Sequence, residues 1–393
     1  MVVFGILLIL YAIYLYIKSN IVLRQNKLDL KQEKGIPRIA ILIPARDESL
    51  VIESLLKSIE GQTFHLNAED VYVIVETIKD PTVEICHRYQ NTVMVREDLE
   101  NQRKGYALEE AIQQILPKKY DLYFIFDADN VLKEDYIEKM VESYHQGYAI
   151  ATGYRMPKNG NDNVIAAVSS LTFSMINTLG NLRRIKENAN VIISGTGYYI
   201  DGSLIEKWGC FPFHSLTEDY ELSLYAILNA IPTYYNENAI FYDEQPTKYK
   251  QTVNQRIRWI KGYFSSRKKY IPLMKKNSIN YGSVVKEKIG VKPFVFFILG
   301  FVFILIQNLI QVIAAKDILF VTIRMIFILL CIYFIMMLVT GYMIKREKYE
   351  FGSKMKWKVI LYNPLYLVTY IPCAIKAVLK KNVTWKKIEH GKK

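Results

Sequence analysis

Three groups of side chains have the types and spacing that chemistry needs. The first is Asp127-Ala128-Asp129-Asn130, directly after the apolar run 122–126. Two carboxylates at i and i+2 beyond a strand can face one ligand where the chain turns. Hard oxygen donors of this kind hold Mg²⁺ or Mn²⁺, usually shared with substrate phosphates. The same residues also suit a helix cap for 133–146. The second group is Thr217-Glu218-Asp219, ahead of a helix at 220–229. Acidic residues there match the helix dipole, and a buried Asp219 has the character of a general base. The third is Gln255-Arg256-Ile257-Arg258-Trp259. On a helix, Gln255, Arg258 and Trp259 share one face at i, i+3 and i+4. Arginine forks match phosphate oxygens, and an indole plane stacks on a sugar's C–H face. The plainer alternative is an amphipathic helix with one core tryptophan.

Residues 38–243 carry the elements that must position these groups. Buried-strand patterns occur at 39–44 (IAILIP), 71–75 (VYVIV), 92–95 and 122–126 (LYFIF), with 148–152 also extended. Helical spacing occurs at 48–60, 81–90, 103–116 and 133–146. Unbroken apolar strands alternating with helices predict an α/β domain, its sheet mainly parallel and covered on both faces. Ligands then bind at the carboxyl ends of the strands, where the polar groups lie. Segments 163–185 and 251–288 mix large apolar and basic residues, as amphipathic helices on a membrane surface do.

The 393 residues are 51% hydrophobic, with the apolar residues concentrated toward both ends. Residues 2–17 form an uncharged run followed by Lys18, Arg24 and Lys27. That order is the reverse of a signal peptide's and predicts an uncleaved anchor. Residues 293–315 and 318–344 are long and apolar enough to span, the latter with Arg324 inside it. Arg324 is a candidate for contact with lipid or sugar, or for snorkelling. The positive-inside rule places the middle domain and the Lys-rich 345–358 loop in the cytoplasm. Residues 359–379, interrupted by Pro364 and Pro372, then read as re-entrant, bent at the prolines, with the C-terminus inside. The net charge of +13 fits contact with anionic lipid. No nucleic-acid-binding pattern accompanies it. Four scattered cysteines without a CxxC pair exclude a disulfide scaffold and a Cys-based zinc module.

Taken in order, the DxD, TED and QxxRW groups on an alternating α/β domain resemble the membrane-embedded family 2 glycosyltransferases, such as cellulose, hyaluronan and poly-N-acetylglucosamine synthases. Further matches are Ile43-Pro44-Ala45-Arg46-Asp47-Glu48, Lys104-Gly105-Tyr106-Ala107-Leu108 and Ser194-Gly195-Thr196-Gly197. The resemblance implies a GT-A-type domain at 36–250, after an anchor at 1–20. QxxRW and interface helices follow at 251–290, a transmembrane bundle at 291–379 and a basic tail at 380–393.

It also implies roles. Pro44, Ala45, Arg46, Glu48 and Lys104 would hold the donor, with Asp127 on the nucleotide. Gln255, Arg256 and Arg258 would close over the diphosphate, and Asp129, with Asp127, would bind Mg²⁺ or Mn²⁺. Asp219, beside Glu218, would be the base. Trp259, Gly195 and Thr196 would meet the acceptor. Glu76 stands where the family usually has a uracil-reading Asp, and Asp47 where Asn is usual. The implied reaction is inverting transfer from a UDP-sugar to a growing β-linked surface polysaccharide at the plasma membrane, with lipid contacts and an auxiliary export subunit or a second copy as partners. The alternative is a single addition to a lipid or lipid-linked acceptor.

Overall fold

The computed structural model describes residues 35–186, 189–276, 299–300, 302–304, 306–311, 318–347 and 349–380, together with Leu7 and Tyr11. Apart from Leu7 and Tyr11, the expected anchor at 2–17 lies outside these residues, as do about half of the span at 293–315, the end of the 251–290 region and the tail after Lys380.

Strands β1 (Ile39–Pro44), β2 (Val71–Val75), β3 (Thr92–Val95) and β4 (Leu122–Ile125) are the apolar runs of the sequence. They pair in parallel in the order β3-β2-β1-β4. Helices α1 (Ile52–Glu60), α2 (Thr82–Arg88), α3 (Lys104–Ile115) and α4 (Tyr136–His145) pack on them. Alternation along β1 divides the core. Ile39, Ile41 and Ile43 face α1, α2 and α4, whereas Ala40 and Leu42 face α3. Both faces are covered, so these strands can be apolar without a break.

The rest of the sheet departs from the mainly parallel expectation. Its remaining strands are β5 (Val131–Leu132), β6 (Ile150–Pro157), β7 (Tyr198–Asp201) and β8 (Thr233–Asp243). β7 is antiparallel to β4 and to β6, β6 is parallel to β8, and β5 is antiparallel to β8. The eight-stranded sheet is therefore mixed. β7 is reached from the irregular segment 189–197 rather than from a crossover helix, so nothing imposes the parallel direction on it.

The segment 163–185, expected on a membrane surface, buries one side against the apolar stretch Ser353–Leu379. It comprises α5 (Val164–Ile176), a π-helical turn (Asn177–Leu182) and α6 (Arg183–Lys186). Ala167, Val168 and Leu171 meet Tyr349, Val359 and Tyr366. Arg184 is buried and donates to the Asn190 carbonyl at 3.1 Å. Helices α7 (Gly202–Trp208) and α8 (Glu218–Leu228) follow, then the long α9 (Tyr249–Lys276).

Helix α10 (Ile318–Arg346) and the stretch Ser353–Leu379 are long and apolar enough to cross a membrane by length and composition. The second is two helices, α11 (Ser353–Val368) and α12 (Tyr370–Leu379). α11 continues through Pro364, and the break falls at Thr369. Pro372 lacks an N–H and crowds the carbonyl four residues earlier, which is Val368. Arg324 donates to Asn308 Oδ1 at 2.9 Å and also to Gln311. Its charge is thus held by amides of the helical stretch 302–311.

Candidate active site

A cavity of about 1030 Å³ opens at the carboxyl ends of β1, β2 and β4. Pro44, Ala45, Arg46, Glu48, Glu76, Lys104, Asp127, Asp129, Gly195, Glu218, Asp219, Gln255, Arg258 and Trp259 all line it. Residues far apart in the chain and expected to act together are thus brought together.

The loop after β1 is fixed from behind. Asp47 has φ 56 and donates its N–H to Asp80 Oδ2 at 2.7 Å. The Glu48 N–H goes to Thr82 Oγ1 at 3.0 Å, and Asp80 Oδ1 accepts the Thr82 N–H at 2.9 Å. Asp and Asn are the non-glycine residues best suited to a left-handed φ, which accounts for Asp47 in place of Asn. Arg46 pairs with Glu76 at 3.0 Å on the rim.

The loop after β4 carries the two aspartates, away from any helix cap. The Asn130 N–H bonds the Asp127 carbonyl at 3.1 Å, making the turn. Thr196 Oγ1 accepts the Asp127 N–H at 2.8 Å, and the hydroxyl donates to Asn130 Oδ1. Thr196 is 0% exposed and does not line the cavity. This corrects its expected acceptor role: Thr196 holds the aspartate loop. Lys104, at the start of α3, reaches Asp127 Oδ1 at 2.5 Å and the Gly195 carbonyl at 2.7 Å.

Glu218 and Asp219 open α8. Glu218 is buried at 8% exposure, while Asp219 is partly open to the cavity. Burial, then the neighbouring Asp219 charge, pushes Glu218 up to about 7. Burial likewise raises Asp219, opposed by its backbone hydrogen bond, Lys104 and Arg258. Gly195 (φ 86) lies against Asp219; a Cβ there would sit 3.5 Å from Oδ2. Ser223 braces this junction, donating to the Asp219 carbonyl at 2.8 Å and accepting the Ile193 N–H at 2.9 Å.

Helix α9 closes the third side. At Gly262 an added Cβ would lie 2.4 Å from Thr217 Oγ1. Only glycine lets α9 approach the start of α8 this closely. Gln255, Arg258 and Trp259 then face the cavity. Arg256 does not, correcting its expected place among the donor-binding groups. It is 1% exposed, donates to Thr369 Oγ1 at 2.7 Å, and lies over the Tyr366 and Tyr370 rings. What takes Arg256 out of the cavity is this packing on the Tyr366–Tyr370 segment, where its charge is held by a hydroxyl and two rings.

Arg155 on β6 was missed by the motif reading. Its Nη1 donates to the Ser194 carbonyl at 2.8 Å, and Nη2 pairs with buried Asp243. Its guanidinium lies 3.7 Å from the centroid of Phe173, which in turn meets Trp259 edge-on at 5.7 Å. Asp127 and Asp129 act on it electrostatically. The only sequence signal is an arginine in an extended apolar run.

Among the described residues no three His, Cys, Asp or Glu side chains form a metal cage. Asp127 and Asp129 offer carboxylates to the cavity. Two carboxylates fit Mg²⁺ or Mn²⁺ completed by diphosphate oxygens and water, rather than an all-protein site.

Residues 37–262 match the family described as "Glycosyltransferase like family 2". That is more than half of the chain and contains all three motifs. The chain belongs to this family. A similar curated protein is "Probable glycosyltransferase YdaM" of Bacillus subtilis (strain 168), 25% identical over 247 residues. The alignment covers 58% of this chain and 56% of the relative, so this chain spans about half the length of the curated relative it matches. Among solved structures, the mannosyltransferase PcManGT from Pyrobaculum calidifontis, in complex with GDP-Man and Mn²⁺, is similar in fold. Its TM-score is 0.61 at 14% identity, over 97% of this chain and 99% of that one. The family 2 chain thus has a GT-A-like α/β fold with a curled mixed sheet.

Proposed function

We propose that this protein transfers a sugar from a nucleoside-diphosphate donor, with UDP-sugars as first choice, to an acceptor hydroxyl or phosphate by single displacement. The observation that carries the reading is one cavity holding Asp219 together with Lys104, Arg258 and the Asp127–Asp129 loop. Glu76 and Arg46 sit where a base would be read, and Glu76 can accept an N–H of uracil. Lys104, Gln255 and Arg258 bind the diphosphate, their fixed charges stabilising the negative charge that develops on the leaving group. A divalent ion on Asp129 and Asp127 would supply further charge neutralisation there. Asp219 takes the proton of an acceptor hydroxyl as its oxygen bonds to the anomeric carbon. Its raised pKa matches it to that task. A single displacement inverts the anomeric centre, so an α-linked donor gives a β-linked product. Trp259, held by Phe173, offers the acceptor a flat apolar face.

The length and composition of α10 and α11–α12 support membrane insertion, and the basic residues at 18–27 and 345–358 support placing this domain on the cytoplasmic face. Two acceptors fit the same chemistry: a growing β-linked polysaccharide, with an export subunit or second copy assisting, and a membrane lipid. The deciding experiment is donor turnover by the purified protein in nanodiscs with Mg²⁺ or Mn²⁺. UDP-GlcNAc, UDP-glucose, UDP-glucuronate, UDP-galactose and GDP-mannose are each offered. Release of a nucleoside diphosphate from one of them, lost on chelation, is expected. No turnover of any would sink the reading.

A further inference from the structure

The cavity has two chemically different ends. Carboxylates, Lys104 and Arg258 gather at one. The lining from α9 and α12 includes Ile260, Phe264, Ile371, Ala374 and Ile375, with Tyr263 and Tyr370 beside them. A sugar chain leaving this way would lay most of its hydroxyls against five aliphatic or aromatic groups that cannot hydrogen-bond them. An aliphatic chain would lose nothing polar and would shed water-exposed apolar surface.

This apolar end opens onto the outside of the protein. Ile371 is 62% exposed and Ile375 55% exposed. With exposed Val378 they follow i, i+4, i+7 spacing along one face of α12. That face belongs to Ser353–Leu379, which has the length and composition of a membrane helix. An exposed aliphatic face of this kind is suited to lipid tails, and it is continuous with the reaction cavity. Among the described residues, none from α10 or from 302–311 lines the cavity.

We propose that the acceptor is a membrane lipid. Its aliphatic tail lies between α9 and α12, and its head oxygen stands beside Asp219. This rests on the glycosyl-transfer reading above and adds the acceptor class to it. The head oxygen forms a bond to the anomeric carbon, while the bond from that carbon to the diphosphate oxygen breaks and its electron pair leaves with the nucleoside diphosphate. From a hydroxyl head the proton passes to Asp219; an ionised phosphate head attacks without giving one up.

The test uses the full-length protein in phosphatidylcholine nanodiscs, with the labelled donor that it turns over. Diacylglycerol is added in one arm and undecaprenyl phosphate in the other, so that the two head groups are distinguished. Label is expected to enter the chloroform–methanol phase in at least one arm. Ala374→Trp fills the passage, and Ile371→Trp fills its exposed mouth. Each should lower the ratio of lipid transfer to donor hydrolysis by about tenfold or more, since misplacing an acceptor by an ångström can cost more than that. Donor hydrolysis in the same samples reports that each variant is folded. A water-soluble polymer without lipid label, or donor hydrolysis without lipid label, overturns the lipid acceptor and leaves the transfer reading standing. An unchanged ratio in both variants overturns the tail path. No donor cleavage in any arm removes the transfer reading and this proposal with it.

Discussion

Replacing Glu218 by Gln is expected to stabilise the protein at alkaline pH, and the size follows from its surroundings. Glu218 is 8% exposed at the start of α8, and burial, then the Asp219 charge, pushes it from 4.5 up to about 7. At pH 8 the carboxylate is ionised in both folded and unfolded chains, but the folded chain holds that charge in a poor place. At about 1.4 kcal/mol per pKa unit, the cost is about 3 kcal/mol. This is a ceiling, because Asp219 shares the site. At pH 4 the carboxyl is largely protonated in both states and the cost is nearly gone. Between these limits the folded state binds more protons, so stability falls as pH rises through the range from 4.5 to about 7. E218Q removes the charge and keeps the shape. Its gain should approach about 3 kcal/mol at pH 8, a rise in Tm of about 4 °C for a chain of 393 residues, and vanish near pH 4. Thermal unfolding of the detergent-solubilised protein at both pH values reads this directly. A lower Tm for E218Q at pH 8, or an equal gain at both pH values, would refute the buried-charge reasoning.

Other expectations concern the reacting groups and their supports. Asp219→Asn should lower kcat by about 10²–10⁴ without lowering Tm; normal turnover would reject Asp219 as the base. With Asp219 as base, transfer from a hydroxyl acceptor should fall as pH drops through its raised pKa, and a flat profile would count against it. Thr196→Val removes the shorter of the two hydrogen bonds of the Asp127 N–H, leaving Asn130 Oδ1 at 3.3 Å, and should cost about 1 kcal/mol of stability, with kcat falling. A rise in acceptor KM alone would instead return Thr196 to the acceptor site. Arg155→Met strands the buried Asp243 charge and should cost about 3–5 kcal/mol, most of it recovered by adding Asp243→Asn. A variant as stable as the parent would show that the pair contributes nothing.

The parallel half of the sheet was legible because unbroken apolar runs such as 71–75 and 39–44 have few other ways to be buried. The antiparallel half was not. β7 and β8 contain Tyr, Asn and Asp, and their direction depends on what they pair with, not on their own pattern. The three motifs were likewise legible, since metal binding, proton transfer and phosphate recognition each need particular side chains at fixed local spacing.

The amino-acid sequence by itself determined which groups are available for chemistry, which segments form the parallel strands β1 to β4, and which stretches are apolar enough for a membrane. Local propensity and periodicity act over a few residues, so these features can be read from neighbours in the chain. The tertiary structure decided which groups meet. Thr196, inside a family motif, turned out to brace Asp127 because β7 pairs with β4. Arg256, between two cavity residues, points to α11 and α12 because Tyr366, Thr369 and Tyr370 pack against that part of α9. Arg155, in no motif, lies between the aspartate loop and Phe173 because β6 runs beside β7 and β8. The apolar exit between α9 and α12 joins residues more than 100 positions apart. Such contacts are set by packing whole elements against one another, and no local pattern carries that information.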